Sequence, residues 1–168
     1  HSRAGGRAIA LEAGINGQMI TLYDRGAHIP LLWTHLIPAT MEGKATFNVQ
    51  NAMFAAAMAF SMGVRLEDIR NGLRTFHTTF YQAPGRLNVF DEHPFKVIMD
   101  YGHNAAAVDS VCQLVRRLDV KGRRICVVAG PGDLEPVVAV VVIHVRVVRP
   151  VWRGPHILIP IQFGRRRG

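Results

Sequence analysis

Several features that would classify this 168-residue sequence at once are missing from it. It holds two cysteines, Cys112 and Cys126, far outside the CxxC spacing of a redox or zinc motif, and the simplest reading makes both reduced core residues. No apolar run approaches the roughly 18–20 residues that a membrane-spanning helix needs, and no charged-then-apolar signal opens the chain. A cytoplasmic setting with no membrane partner is therefore expected. The histidines His28, His35, His77, His93 and His103 are numerous, yet no pair has a ligand spacing with a third partner, so no metal site is expected. A glycine-rich loop ending in Gly-Lys-Ser/Thr, the usual cradle for nucleotide phosphates and Mg²⁺, is also absent. The loop "AGPGDL" follows a predicted strand but has neither the lysine nor the hydroxyl.

Acidic residues are missing from one whole segment. Residues 136–168 contain six arginines and no Asp, Glu, Lys, Asn, Ser or Thr. This tail carries most of the net charge of +8; the body, with fourteen Lys and Arg against twelve Asp and Glu, is close to balanced. The body thus has no electrostatic reason to seek phosphate backbones, and nucleic acid is an unlikely partner. Within the tail, "VVAVVVIHVRVVRPVW" has strand propensity but little alternation and few turn signals. A buried strand is one reading. The favoured one is a segment not shaped by the fold, such as a shifted reading frame or a truncation scar, poorly packed or only locally extended, whose removal improves solubility.

What is present reads as a soluble α/β protein, 49% apolar with 16 glycines. "RAIAL" and "MITLYD" flank "EAGING" and predict a hairpin across Arg7–Asp24. "HIPLLWTHLIPAT", with two prolines, predicts an irregular apolar connector. Helices are expected at about 48–62, burying Phe47, Met53, Phe54, Ala56, Ala57 and Phe60, and at about 66–76, with Leu66, Ile69, Leu73 and Phe76 on one face. "YQAPGR" then breaks the pattern, and Ala83–Gly85 is the expected join between two lobes. Beyond it, "RLNVFD" and "FKVIMDY" around "EHP" predict a second hairpin, followed by a helix over 105–118 and a strand at "RRICVVAG". Strand, helix, strand implies a parallel crossover and a doubly wound sheet.

Two constellations carry chemistry. In "FNVQNAMFAAAMAF" the amides of Asn48 and Asn51, with Gln50 between, crowd the first turn of a helix, where they can read the edge of a planar ligand. In "VIMDYGHNAAAV" the residues Asp100, His103 and Asn104 fall where a strand ends and a helix begins, the usual ligand position in open α/β sheets. A carboxylate there can accept from a ribose diol. The plainer alternative makes Asn104 a helix cap and Asp100 a turn acid.

Taken together, "FNVQNAMFAAAMAFSMG", "QAPGR" and "DYGHNAAAV", in this order and spacing, resemble the Mur ligase superfamily of ATP-dependent amide-forming enzymes. The longer strings "AHIPLLWTHLIPAT", "IRNGLRTF" and "NVFDEHPFKVIMDYGHN" are similar to those members that extend an aspartate–arginine polymer, over roughly residues 6–133. The resemblance implies ATP and Mg²⁺ as cofactors, an acyl-phosphate intermediate attacked by an amine, arginine or aspartate as the added unit, and a homo-oligomer for the full-length family. It implies that residues 1–82 end a central ATP-binding domain, that residues 83–135 begin a Rossmann-like C-terminal domain, and that 136–168 form an atypical tail. By the same resemblance Asn48 and Asn51 face adenine, Arg86 of "PGR" contacts ribose or phosphate, Asp100 holds the ribose hydroxyls, and His103 and Asn104 lie near the phosphates. Many relatives carry His at Phe47 and Pro at Ala105. With no phosphate loop, the chain is expected to be an incomplete, inactive part of such a ligase. The alternatives are a non-catalytic nucleotide-binding module and an Arg-tailed nucleic-acid binder.

Overall fold

A computed structural model describes residues 4–92, 95–119, 123–128 and 139–145. The first half is an antiparallel sheet of β1 (Ala8–Gly14), β2 (Gly17–Asp24) and β3 (Ala27–Trp33), covered by α1 (Thr46–Ser61) and α2 (Leu66–Thr75). The expected hairpin is present, closing through Ile15 and Asn16 with Gly14 opposite Gly17. Gly14 must lack a side chain, because a Cβ there would stand 2.7 Å from the Trp33 ring. The stretch expected to be an irregular connector instead supplies β3 and then two short 3₁₀ turns, Thr34–Leu36 and Pro38–Thr40. Proline concealed that strand, but β3 is an edge, and Pro30 sits opposite Thr21 at a register shift, where a missing N–H is tolerated.

Ile20, Leu22, Leu31 and Leu32 pack under Ala52 and Ala56 of α1 and Ile69 of α2, with Leu66 and Leu73 at the margin. The face expected for α2 is therefore correct except at Phe76, which is half-exposed. The face expected for α1 holds at Ala56, which is buried, and at Phe47, Met53 and Phe60, which pack against the cores, but it missed the buried Val49 and Ala52 and fails at Phe54, which is 66% exposed. A helix apolar all round offers no periodicity from which to choose a face.

One polar cluster ties this sheet together. The Glu12 carboxylate accepts from Tyr23 Oη, from Thr21 Oγ1 at 2.8 Å and from His28 Nε2 at 3.0 Å. The Tyr23 hydroxyl first, then Thr21 and His28, hold its carboxyl down at about 2 from the ordinary 4.5. A depressed acid contributes stability above its unfolded value and loses it as pH falls through the folded one. Glu12→Gln should therefore flatten the acid limb of a urea-midpoint profile between 4.5 and about 2. An unchanged limb would show that the cluster is not linked to folding.

The second half is a sheet in the order β4 (Asn88–Phe90), β5 (Phe95–Tyr101), β7 (Ala139–Val145), β6 (Arg123–Val128), with α3 (Ala105–Arg117) between β5 and β6 in sequence. β4 and β5 pair antiparallel as expected, the tip of their turn lying at 93–94, outside the described residues. β5 and β6 run in the same direction, as a crossover through α3 requires, but they are not hydrogen-bonded to each other. β7 lies between them, antiparallel to both. The expectation of a poorly packed tail is thus overturned for 139–145, which form a central strand paired on both sides. The run's strand propensity was the signal that proved right. Residues 129–138, with the "AGPGDL" loop, and 146–168 lie outside the described residues.

Leu87, Ile98, Val111, Leu114 and Val115 form the second core, which Ala45 also joins and against which Phe47 packs. The N-terminal end of α1 therefore belongs to both halves. Phe47 is an apolar contact here. Ala105 opens α3 at its first position, where proline would be equally at home.

Candidate nucleotide site

A cavity of about 720 Å³ opens between the two halves. Small side chains of α1, Ala52, Ala55, Ala56 and Ala59, make its floor, α2 supplies Leu73, and the polar end holds Asn48, Asn51, Arg86, Asp100 and His103. Residues from three separate motifs thus meet in one place. Asn104 does not line the cavity.

The amides of α1 are presented by the turns before it. Buried Thr40 donates to the Thr34 and Ile37 carbonyls at 2.6 and 2.8 Å and accepts from Gly43 N–H at 3.0 Å, fixing the entry to the helix. Met41, Glu42 and Gly43 follow with φ of 51°, 60° and 80°, a left-handed run that reverses the chain. Asn48 Nδ2 donates to the Ala39 carbonyl at 2.7 Å, and Asn51 Nδ2 donates to Asn48 Oδ1 at 3.1 Å. Asn48 is thereby committed at both ends. Asn51 keeps its carbonyl oxygen and one N–H toward the cavity, the acceptor–donor pair that matches an adenine edge.

The opposite wall is built around a residue that the sequence reading passed over. Asn88, fully buried, accepts from Gly85 N–H at 2.7 Å and donates to the Thr78 and Ala83 carbonyls, each at 2.9 Å. Its single amide gathers the whole "QAPGR" linker. The available signal was a polar amide within the apolar string "RLNVF". Within the gathered loop, Leu87 is buried at φ 49°, an uncommon conformation for a branched side chain, and its N–H donates to Asp100 Oδ2 at 3.0 Å. Tyr101 N–H donates to Gly85 O at 2.6 Å, so the linker lies directly on the end of β5. The Arg86 guanidinium stands 6.0 Å from the centre of the Tyr101 ring.

Burial raises the Asp100 carboxyl above its ordinary range, against the opposing pull of the Leu87 N–H, Arg86 and His103. For an acid raised by burial, stability is fully present below the unfolded value and declines as pH rises through the folded one. Keeping Asp100 at the cavity rim therefore does not favour folding at neutral pH, which is common where a carboxylate serves a ligand. Asn104 caps α3, accepting from Ala107 N–H at 2.8 Å. Its Nδ2 lies 3.3 Å from His103 Nε2. Among the described residues no three His, Cys, Asp or Glu gather as a metal site, and no helix is long and apolar enough to cross a membrane.

Residues 85–148 match the family of the Mur ligase glutamate ligase domain, and the chain belongs to the Mur ligase superfamily. Within it, the chain is similar to cyanophycin synthetases: 37% identical to that of Crocosphaera subtropica over 79% of this chain, and 40% identical to that of Trichormus variabilis over 70%. A UDP-N-acetylmuramoyl-L-alanyl-D-glutamate–L-lysine ligase of Streptococcus agalactiae is 34% identical over 52% of the chain. The chain spans about 15% of the length of these relatives: 15% of the first, 14% of the second and 17% of the third.

Proposed function

We propose that the cavity receives the adenosine part of ATP in an amide ligase that adds arginine or aspartate to an aspartate–arginine polymer in the cytoplasm, through an acyl phosphate. The convergence of Asn51, Arg86 and Asp100 on one cavity, from three motifs separated in sequence, carries this reading. In it, residues 1–82 end the ATP-binding central domain and the C-terminal domain begins at 83. Asn51 reads the base edge and Asn48 holds Asn51 in place. Asp100 keeps Oδ1 for a ribose hydroxyl while Oδ2 accepts from Leu87. Arg86 supplies positive charge toward ribose or phosphate, and His103 lies at the phosphate side. Asn104 acts through α3, as its cap. ATP in this family supplies the activated phosphoryl group. The residues described fit the nucleoside but not Mg²⁺, for which they gather no ligand set, and no step of phosphoryl transfer is assigned to them.

The test is kinetic and belongs in a full-length relative that carries these motifs. Asn51→Ala and Asp100→Asn should each raise KM for ATP about 2- to 10-fold, the size of one lost hydrogen bond of about 0.5–1.5 kcal/mol. Asp100→Asn keeps an acceptor for Leu87 and removes the buried charge, so it should fold no less stably at neutral pH. Unchanged KM in both variants would make these residues structural.

A further inference from the structure

The cysteines, far apart in sequence, meet in the fold. Cys112 lies on α3 and is half-buried, whereas Cys126 lies on the edge strand β6 and is exposed, which corrects the reading of both as core residues. Arg124 fixes how helix and strand face each other: its Nε donates to the Val115 carbonyl at 3.1 Å and its Nη2 to the Leu118 carbonyl at 3.0 Å. Cys126 is two residues beyond Arg124 on the same strand face, and Cys112 is one helical turn before Val115. The two thiols therefore stand opposite one another one turn further along, close enough for Cys112 to raise the Cys126 thiol. Burial, and then the neighbouring thiol, push the Cys126 thiol up, so the attacking thiolate is its minor form at neutral pH and the exchange quickens as pH rises.

We propose that Cys112 and Cys126 are a reversible dithiol–disulfide pair that fastens α3 to β6 when a low-molecular-weight disulfide oxidises it. The Cys126 thiolate attacks one sulfur of the small disulfide, giving a mixed disulfide and releasing one thiolate. The Cys112 thiolate then attacks the Cys126 sulfur and displaces the second. Two protein S–H bonds are lost and one S–S bond forms, while the small disulfide is reduced to two thiols that take up the two protons. Exposure of Cys126 gives the oxidant access, and the nearness of Cys112 gives the resolving step. The helix so fastened lines the nucleotide cavity through Ala107, Ser110 and Val111, and its Arg117 reaches Lys44 O in the first half at 3.2 Å. Oxidation thus stiffens one wall of the cavity.

The folded chain, equilibrated with oxidised glutathione, is alkylated and weighed intact, then mapped by non-reducing peptide analysis. The expected product is a monomer lighter by about two mass units, resistant to alkylation, containing a Cys112–Cys126 cross-linked peptide, restored by dithiothreitol, and melting on the order of 5 °C higher than the reduced chain. Cys112→Ser should instead stop at a stable glutathione adduct on Cys126. Glutathione adducts on both cysteines of the unsubstituted chain, disulfide-linked dimers alone, or two thiols that remain alkylatable would each overturn the proposal.

Discussion

Truncation after residue 138 is expected to unfold the second half of the molecule while leaving the first intact. β7 pairs with β5 along Phe95–Tyr101 on one side and with β6 along Arg123–Val128 on the other, so its removal leaves a one-strand gap in the middle of the sheet. On the order of ten ladder hydrogen bonds at about 1 kcal/mol each are lost, comparable to the whole stability of a typical domain, about 5–15 kcal/mol. Amide hydrogen exchange should show β5, β6 and α3 reduced to the rates of an unfolded chain, with β1–β3 still protected. Truncation after Val145 should leave that protection unchanged. Equal protection in both truncated chains would mean that β7 contributes nothing to the sheet, restoring the reading of 136–168 as a segment outside the fold.

Asn88→Ala should be the most damaging single substitution near the cavity. It strands the Gly85 N–H and the Thr78 carbonyl beside a fully buried position and leaves the Ala83 carbonyl only its bond from Arg86 N–H. The expected cost is about 3 kcal/mol, a fall in Tm of roughly 6–12 °C for a chain of this size. Asn88→Asp retains the acceptor for Gly85 but neither donor, and should cost nearly as much. Because Arg86 and Leu87 sit inside the loop that Asn88 gathers, nucleotide affinity should fall along with stability. A loss under about 1 kcal/mol would show that the linker is held by its contacts with Tyr101 and Asp100 instead.

Much of this was legible because local signals and fold agree. Both hairpins, the two helices before the linker and the α3 crossover follow from periodicity and turn residues. Of the six residues that the motifs singled out, five, Asn48, Asn51, Arg86, Asp100 and His103, line one cavity. What sequence reading missed has physical causes. Pro30 disguised β3, since the rule against proline in strands relaxes at an edge. α1 is apolar on all sides, so nothing in its pattern told Phe54 from Ala52. β7 was missed because an apolar run without alternation shows no face, and its place as a strand comes from its pairing with β5 and β6. The functions of Asn88 and of the Cys112–Cys126 pair depend on contacts that exist only once the chain has folded, since neither residue has a motif around it.

The most direct measurement is a titration of this chain with AMP and, separately, ATP, followed by backbone amide NMR. Adenosine recognition by Asn51 and Asp100 predicts saturable shifts centred on Asn51, Arg86, Asp100 and His103, weakened several-fold by Asn51→Ala or Asp100→Asn. With no Gly-Lys-Ser/Thr loop in the sequence, the two nucleotides should bind with similar affinity. Shifts scattered over exposed arginines and growing with phosphate number, or binding indifferent to both substitutions, would contradict a nucleoside site in this cavity.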